Sequence, residues 1–129
     1  MSKKIVGNYQ KVQINTASPG QRVVMVYDTI RKNLESAMEA FKDDSPDKFA
    51  KINNGIQMAE KLILELQLAL DKEKGGEIAE NLNSLYSFWT RHLSDANIMK
   101  NRDMLANVHK MVVELMDGWV QAEKKTRNM

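Results

Sequence analysis

His92 and His109 are the side chains best suited to ligate a metal or move a proton in this chain of 129 residues. A carboxylate-bridged metal centre in a helical protein places a Glu three residues before each histidine, so that both ligands leave one helix face. Trp89 and Ala106 hold those positions. There is no cysteine, which removes thiolate metal sites, iron–sulfur clusters, disulfides and a cysteine nucleophile. Lys74-Gly75-Gly76 contains the one glycine pair but lacks the spacing of a phosphate cradle, and no Gly-x-Ser-x-Gly occurs. Asp43, Asp44 and Asp47 surround a helix start, where negative charge complements the dipole. They lack the alternating oxygen ligands of a calcium loop. These residues predict no enzyme, no metal and no cofactor.

Charge leads to the same place. Lys3, Lys4 and Lys11 beside Tyr9, and Lys124, Lys125 and Arg127, could touch phosphates, but they sit at the two ends and no helix carries a basic stripe. The net charge is only +2. Residues 1–33 are net basic and residues 34–71 net acidic. No apolar run has the length of a signal core or of a membrane span. The expectation is a cytoplasmic protein that binds neither nucleic acid nor membrane.

The elements that must position these residues are helices. Ser18-Pro19-Gly20-Gln21 has the form of a capping box with proline at the first helical position. Val23, Tyr27, Ile30, Leu34, Ala37 and Phe41 follow at intervals of three and four. Ser45-Pro46 announces a second helix with Phe49, Ile52, Ile56, Ala59, Ile63, Leu66 and Leu70 on its seam. Lys74-Gly75-Gly76 is read as its stop. Ile78, Leu82, Leu85, Trp89, Leu93 and Ala96 define a third helix, and Leu105, Val108, Val112, Leu115, Trp119 and Ala122 a fourth. The predicted fold is all-α, an antiparallel four-helix bundle with helices at about 18–42, 46–71, 77–97 and 102–123. An extended arm over 1–17 is expected to pack on the bundle, and 124–129 to be a frayed tail.

The helices hold more apolar residues than one core needs. Met58, Leu62, Leu64, Leu68 and Ala69 lie off the second seam, Tyr86 and Phe88 off the third, and Met104, Met111 and Met116 off the fourth. One reading is a broad core face. The other is an exposed groove for a partner helix, to which nine methionines are suited as adaptable contacts.

Three runs of residues carry a resemblance. Asn15-Thr16-Ala17-Ser18-Pro19 with Met25-Val26-Tyr27-Asp28 is similar to the first-helix signature of the flagellar secretion chaperone FliS family. Leu70 to Asn97, LDKEKGGEIAENLNSLYSFWTRHLSDAN, resembles that family's second-to-third-helix junction and third helix. Leu115 to Ala122, LMDGWVQA, resembles its last helix. Arg22, Thr29, Lys72, Trp89 and His92 depart from the residues usual in the family.

The resemblance implies a bacterial cytosolic chaperone. Its client would be the C-terminal segment of flagellin, disordered in the monomer. It would prevent premature polymerisation and hold the segment for flagellar type III export, with the export apparatus or a co-chaperone as further partners. The chain is expected to be a monomer when free. Met58, Leu62, Ala69, Tyr86 and Phe88 are the expected partner-binding residues, and Ile5, Tyr9, Val12 and Ile14 the arm that covers the groove without a client. A regulatory or structural adaptor, bound permanently to another protein, is the alternative that the same apolar surface allows.

Overall fold

The computed structural model describes residues 18–127, which form four helices and no strand. The expected arm, with Ile5, Tyr9, Val12 and Ile14, lies outside the described residues. Helix α1 spans Pro19–Ala40, α2 Lys48–Leu68, α3 Lys72–Met99 and α4 Arg102–Arg127. The α4 helix thus continues through most of the tail expected to fray.

Local chemistry explains the starts. Ser18 Oγ accepts from the Gln21 N–H at 3.1 Å, and Gln21 Oε1 accepts from the Ser18 N–H at 2.9 Å. This reciprocal pair satisfies two backbone donors that a helix start otherwise leaves open. Asp71 caps α3 by accepting from the Lys74 N–H at 3.0 Å. Asn101 accepts from the Met104 N–H at 3.2 Å at the start of α4. Between α1 and α2, the Asp43 carboxylate accepts from the Ser45 N–H at 2.9 Å and from Lys51 Nζ at 2.6 Å. The Lys51 ammonium is the main reason the Asp43 carboxyl lies low, at about 2.

The α1 helix packs between α2 and α4, and α3 packs against the same two, so α1 and α3 face each other across the diagonal. The α3–α4 contact is the least extensive of the four. Tyr27, Ile30, Leu34, Ile56, Ile63, Trp89, Leu93 and Val108 are among the fully buried side chains. Gly55 permits the close approach of α1 and α2, because a Cβ there would stand 2.7 Å from Asn33 O and 2.9 Å from Ala37 Cβ. Lys100 turns the chain into α4 in the left-handed conformation (φ 49°, ψ 52°), and its Nζ reaches Asn53 Oδ1 at 2.7 Å.

The stop assigned to Lys74-Gly75-Gly76 is corrected by the structure. The α2 helix ends six residues earlier, at Leu68; a single turn over 72–75 follows, and Gly76 separates it from the long run of α3 that starts at Glu77. Gly76 sits at φ 53°, ψ −131°, a kink inside the helix. The reason is register. Gln67 Nε2 donates to Asn83 Oδ1 and Ser87 Oγ, each at 2.8 Å, so the end of α2 lies level with that part of α3. A straight α3 would carry Lys72 about 16 Å beyond Asn83 at 1.5 Å per residue. The four steps from Leu68 to Lys72 span at most about 14 Å and must also cross between helices. The kink turns the first helical turn back within reach, in a region of φ and ψ open to glycine.

Candidate partner-binding groove

The face of α3 that enters the core shares Trp89, Leu93 and Ala96 with the one its spacing predicts but is turned toward Ala79 and Tyr86. Ala79, Tyr86, Trp89, Leu93 and Ala96 are buried, while Leu82 and Leu85 only pack against the core's edge. Ile78, expected on the seam, is 71% exposed. Tyr86, expected to face a partner, is 2% exposed, so that assignment is corrected. Its hydroxyl meets that of Tyr27 at 2.6 Å, and its ring lies 5.5 Å from Trp89. Tyr27 in turn meets Trp89 edge to face at 6.3 Å and lies 6.3 Å from Trp119. Burial drives the pKa of both tyrosines above the ordinary phenol value, so both remain neutral. The Trp89 indole N–H is buried without a hydrogen-bond partner.

The other expected partner-binding residues take three kinds of position. Met58 and Ala69 are exposed on or just past α2. Phe88 is exposed on α3, stacked on the His92 ring at 5.2 Å. Leu62 is half-buried and packs against the core. The methionines off the fourth seam, Met104, Met111 and Met116, also pack against the core, so on α4 the surplus is a broad core face. Phe49, expected on the second seam, is exposed.

A groove of about 610 Å³ runs between α2 and α3. Gln57, Lys61 and Leu64 form its α2 wall, with Leu64 51% exposed, and Ser87, Thr90 and Arg91 its α3 wall. Glu60 and Gln67 also line it. Exposed Leu68 continues the α2 wall by one turn. None of the five expected residues lines this groove. A sequence signal for it exists: Gln57, Lys61, Leu64 and Leu68 repeat at intervals of four, three and four, a second face beside the core seam.

The polar groups of the groove are unevenly satisfied. Gln67 is held by Asn83 and Ser87, and Thr90 Oγ1 donates to Tyr86 O at 3.0 Å. Glu60 is half-buried, and burial pushes its carboxyl above the usual carboxylate range, with the nearby Ser94 hydroxyl opposing the shift. Glu60, Lys61 and Arg91 form no ion pair with the other described residues.

The two histidines lie apart, His92 against Phe88 and His109 against Glu35. His109 Nε2 and Glu35 Oε2 lie 2.8 Å apart, joining α4 to α1, and Arg31 adds a bidentate contact to Glu35. No group of three or more metal-binding side chains occurs among the described residues, and no helix there is long and apolar enough to cross a membrane.

Comparison with known proteins adds the remaining facts. A family model described as "Flagellar protein FliS" matches residues 1–126. The chain is 30% identical to the flagellar secretion chaperone FliS of Bacillus subtilis over 123 residues, covering 93% of this chain and 89% of that protein. It is 30% identical to FliSB of Pseudomonas aeruginosa over 121 residues, covering 90% and 93%. It is 29% identical to FliS of Salmonella typhimurium over 113 residues, covering 87% and 82%.

Proposed function

The chain belongs to the FliS family of flagellar proteins, and from that premise we propose that it is a flagellar secretion chaperone whose client is the C-terminal segment of flagellin. It binds that segment in the bacterial cytosol, prevents premature polymerisation and holds the client for type III export. The export apparatus or a co-chaperone receives the complex. No chemical step is involved.

The observation that carries the reading is the family match over residues 1–126, on a bundle whose α2 and α3 leave Leu64, Leu68, Ile78 and Phe88 exposed. A disordered segment that folds on binding offsets its ordering entropy by burying apolar surface. A bundle that had closed over all its apolar residues would offer none. Exposed leucines beside an open groove provide such surface without loss of the core.

The test is calorimetry of the full chain with full-length flagellin from the same cell. The expected result is a one-to-one complex with a negative heat-capacity change and added helicity. Absence of binding between two folded proteins would overturn the assignment. An obligate dimer of the free chain would favour the adaptor alternative.

A further inference from the structure

The two halves of α3 are held very differently. From Tyr86 onward a large side chain or Ala96 is buried at every turn, through Trp89 and Leu93, and the Tyr86 hydroxyl is tied to Tyr27 on α1. Before Tyr86 the one buried side chain of the helix is Ala79, which has a single methyl to bury. Residues 71–78 are all exposed, and Leu82 and Leu85 only pack against the core's edge. Among the described residues no ion pair joins residues 72–85 to another helix.

Local chemistry weakens the same stretch. Gly75, Gly76, Asn81, Asn83 and Ser84 all have lower helix propensity than alanine. Gly76, at φ 53° and ψ −131°, interrupts the helical conformation ahead of Glu77. What fastens the stretch is one side-chain amide. Gln67 Nε2 on α2 donates to Asn83 Oδ1 and, just past Tyr86, to Ser87 Oγ, each at 2.8 Å. Among the described residues no other side-chain hydrogen bond joins residues 72–85 to α1, α2 or α4.

We propose that residues 72–85 form a strap that opens as one unit while the rest of the bundle stays folded, with Gln67 as its latch and Tyr86 as its fixed end. The free energy of a local opening follows the buried contacts that the segment gives up, and this segment gives up few. Opening loses the burial of Ala79, the edge contacts of Leu82 and Leu85, and the Gln67–Asn83 hydrogen bond. Trp89, Leu93 and Ala96 keep theirs. The open form adds Ala79, Leu82 and Leu85 to the already exposed Leu68 and Ile78, so this end of the bundle gains apolar surface that the closed form withholds. The device rests on the packing of α3 and not on what the chain binds.

The test is hydrogen exchange of the full chain under native conditions, over a series of low denaturant concentrations. A strap that opens as one unit gives the amides of residues 82–85 a common opening free energy and a common denaturant slope, both below those of Leu93 and Ala96. Gln67→Ala should speed exchange at 82–85 about ten-fold, since the latch is broken in the open form. Ile56→Val makes the complementary measurement. Ile56 is fully buried on α2, one turn from Asn53, which reaches Lys100 at the far end of the bundle. It stays packed when the strap opens, so its variant should speed exchange several-fold at Leu93 and Ala96 and leave 82–85 unchanged. Acceleration of 82–85 together with Leu93 in Ile56→Val would overturn the proposal, because the strap would then open only with the whole bundle. Opening free energies that climb residue by residue from 82 to 85 would show fraying instead. Unchanged exchange at 82–85 in Gln67→Ala would remove the latch.

Discussion

The hydroxyls of Tyr27 and Tyr86 meet at 2.6 Å inside the bundle, joining α1 to α3 across its diagonal. Each tyrosine is thereby buried with its polar atom satisfied, next to an indole N–H that is not. Removing one hydroxyl strands the other. Tyr86→Phe and Tyr27→Phe should each cost about 1–2 kcal/mol of folding stability. The double variant should cost less than the sum, since both unmet groups are gone. Urea denaturation of the three variants measures the cycle. Tyr86→Ala should cost about 3–5 kcal/mol, as a large core truncation does.

Gly55 and Gly118 should respond oppositely to alanine. At Gly55 the new methyl meets Asn33 O at 2.7 Å, backbone that cannot step aside without moving α1. The expected cost of that overpacking is about 1–3 kcal/mol, outweighing the gain in helix propensity. At Gly118 a Cβ meets nothing within 4 Å. There the propensity gain acts alone, and Gly118→Ala should stabilise by up to about 1 kcal/mol. Thermal unfolding of the pair decides the signs.

Gly76→Ala should damage a small region. The φ of 53° with ψ of −131° excludes an L-residue, although the space around the Cβ is open. The connection from Leu68 is too short for α3 to straighten. The first turn, Lys72–Gly75, should therefore melt, with an overall cost of about 1–2 kcal/mol. Hydrogen exchange should show faster amides over 72–79 and unchanged protection around Trp89.

Glu60 and Glu35 should give the stability opposite pH dependences. The folded-state pKa of Glu60 is raised by burial. Between the ordinary carboxylate value and that raised value the folded chain holds a proton that the unfolded chain releases, so stability falls as pH rises. Glu60→Gln should be the more stable chain above this window and lose its advantage in acid. The Glu35 pKa is lowered, first by its hydrogen bond with His109. Its contribution is present above the ordinary carboxylate value and lost as pH falls through the lowered one. Glu35→Gln should therefore be less stable at neutral pH and converge in acid. Glu35 is 43% exposed, so solvent screening keeps that difference below about 1 kcal/mol. Denaturation at a series of pH values reads both.

Leu64 and Phe88 separate binding from folding. Both are only part-buried, so alanine at either should cost no more than about 1–2 kcal/mol of stability, less than a core truncation. Leu64→Ala should weaken flagellin binding by about 1–2 kcal/mol if it lies centrally in the interface. Leu93→Ala, fully buried, should unfold the chain first. Paired denaturation and titration separate the two classes.

Much of this bundle is legible before any coordinates. The Ser18–Gln21 capping box, the buried positions Tyr27, Ile30, Leu34 and Ala37, and the family all follow from local residue order. Capping and 3.6-residue periodicity are local properties, complete within a few turns of chain. Lys74-Gly75-Gly76 has the composition of a helix stop, and the backbone does break at Gly76, but α2 itself ends at Leu68. What makes Gly76 a kink inside α3 is the level at which Gln67 meets Asn83 and Ser87, sixteen to twenty residues along the chain.

The sequence by itself determined the helices, their order and the family, because those depend on neighbours in the chain. Trp89, Leu93 and Ala96 are core by spacing and in the structure alike, and only the tertiary structure decided how the N-terminal half of α3 is turned about them. That helix carries two apolar stripes, one through Ile78, Leu82 and Leu85 and one through Ala79 and Tyr86, about 100° apart, and periodicity ranks neither. On the buried side Tyr86 meets a partner for its hydroxyl, Tyr27, 59 residues away in the chain. Glu60 was hidden for a similar reason: an acid on α2 reads as solvated until α3 packs beside it and half buries it.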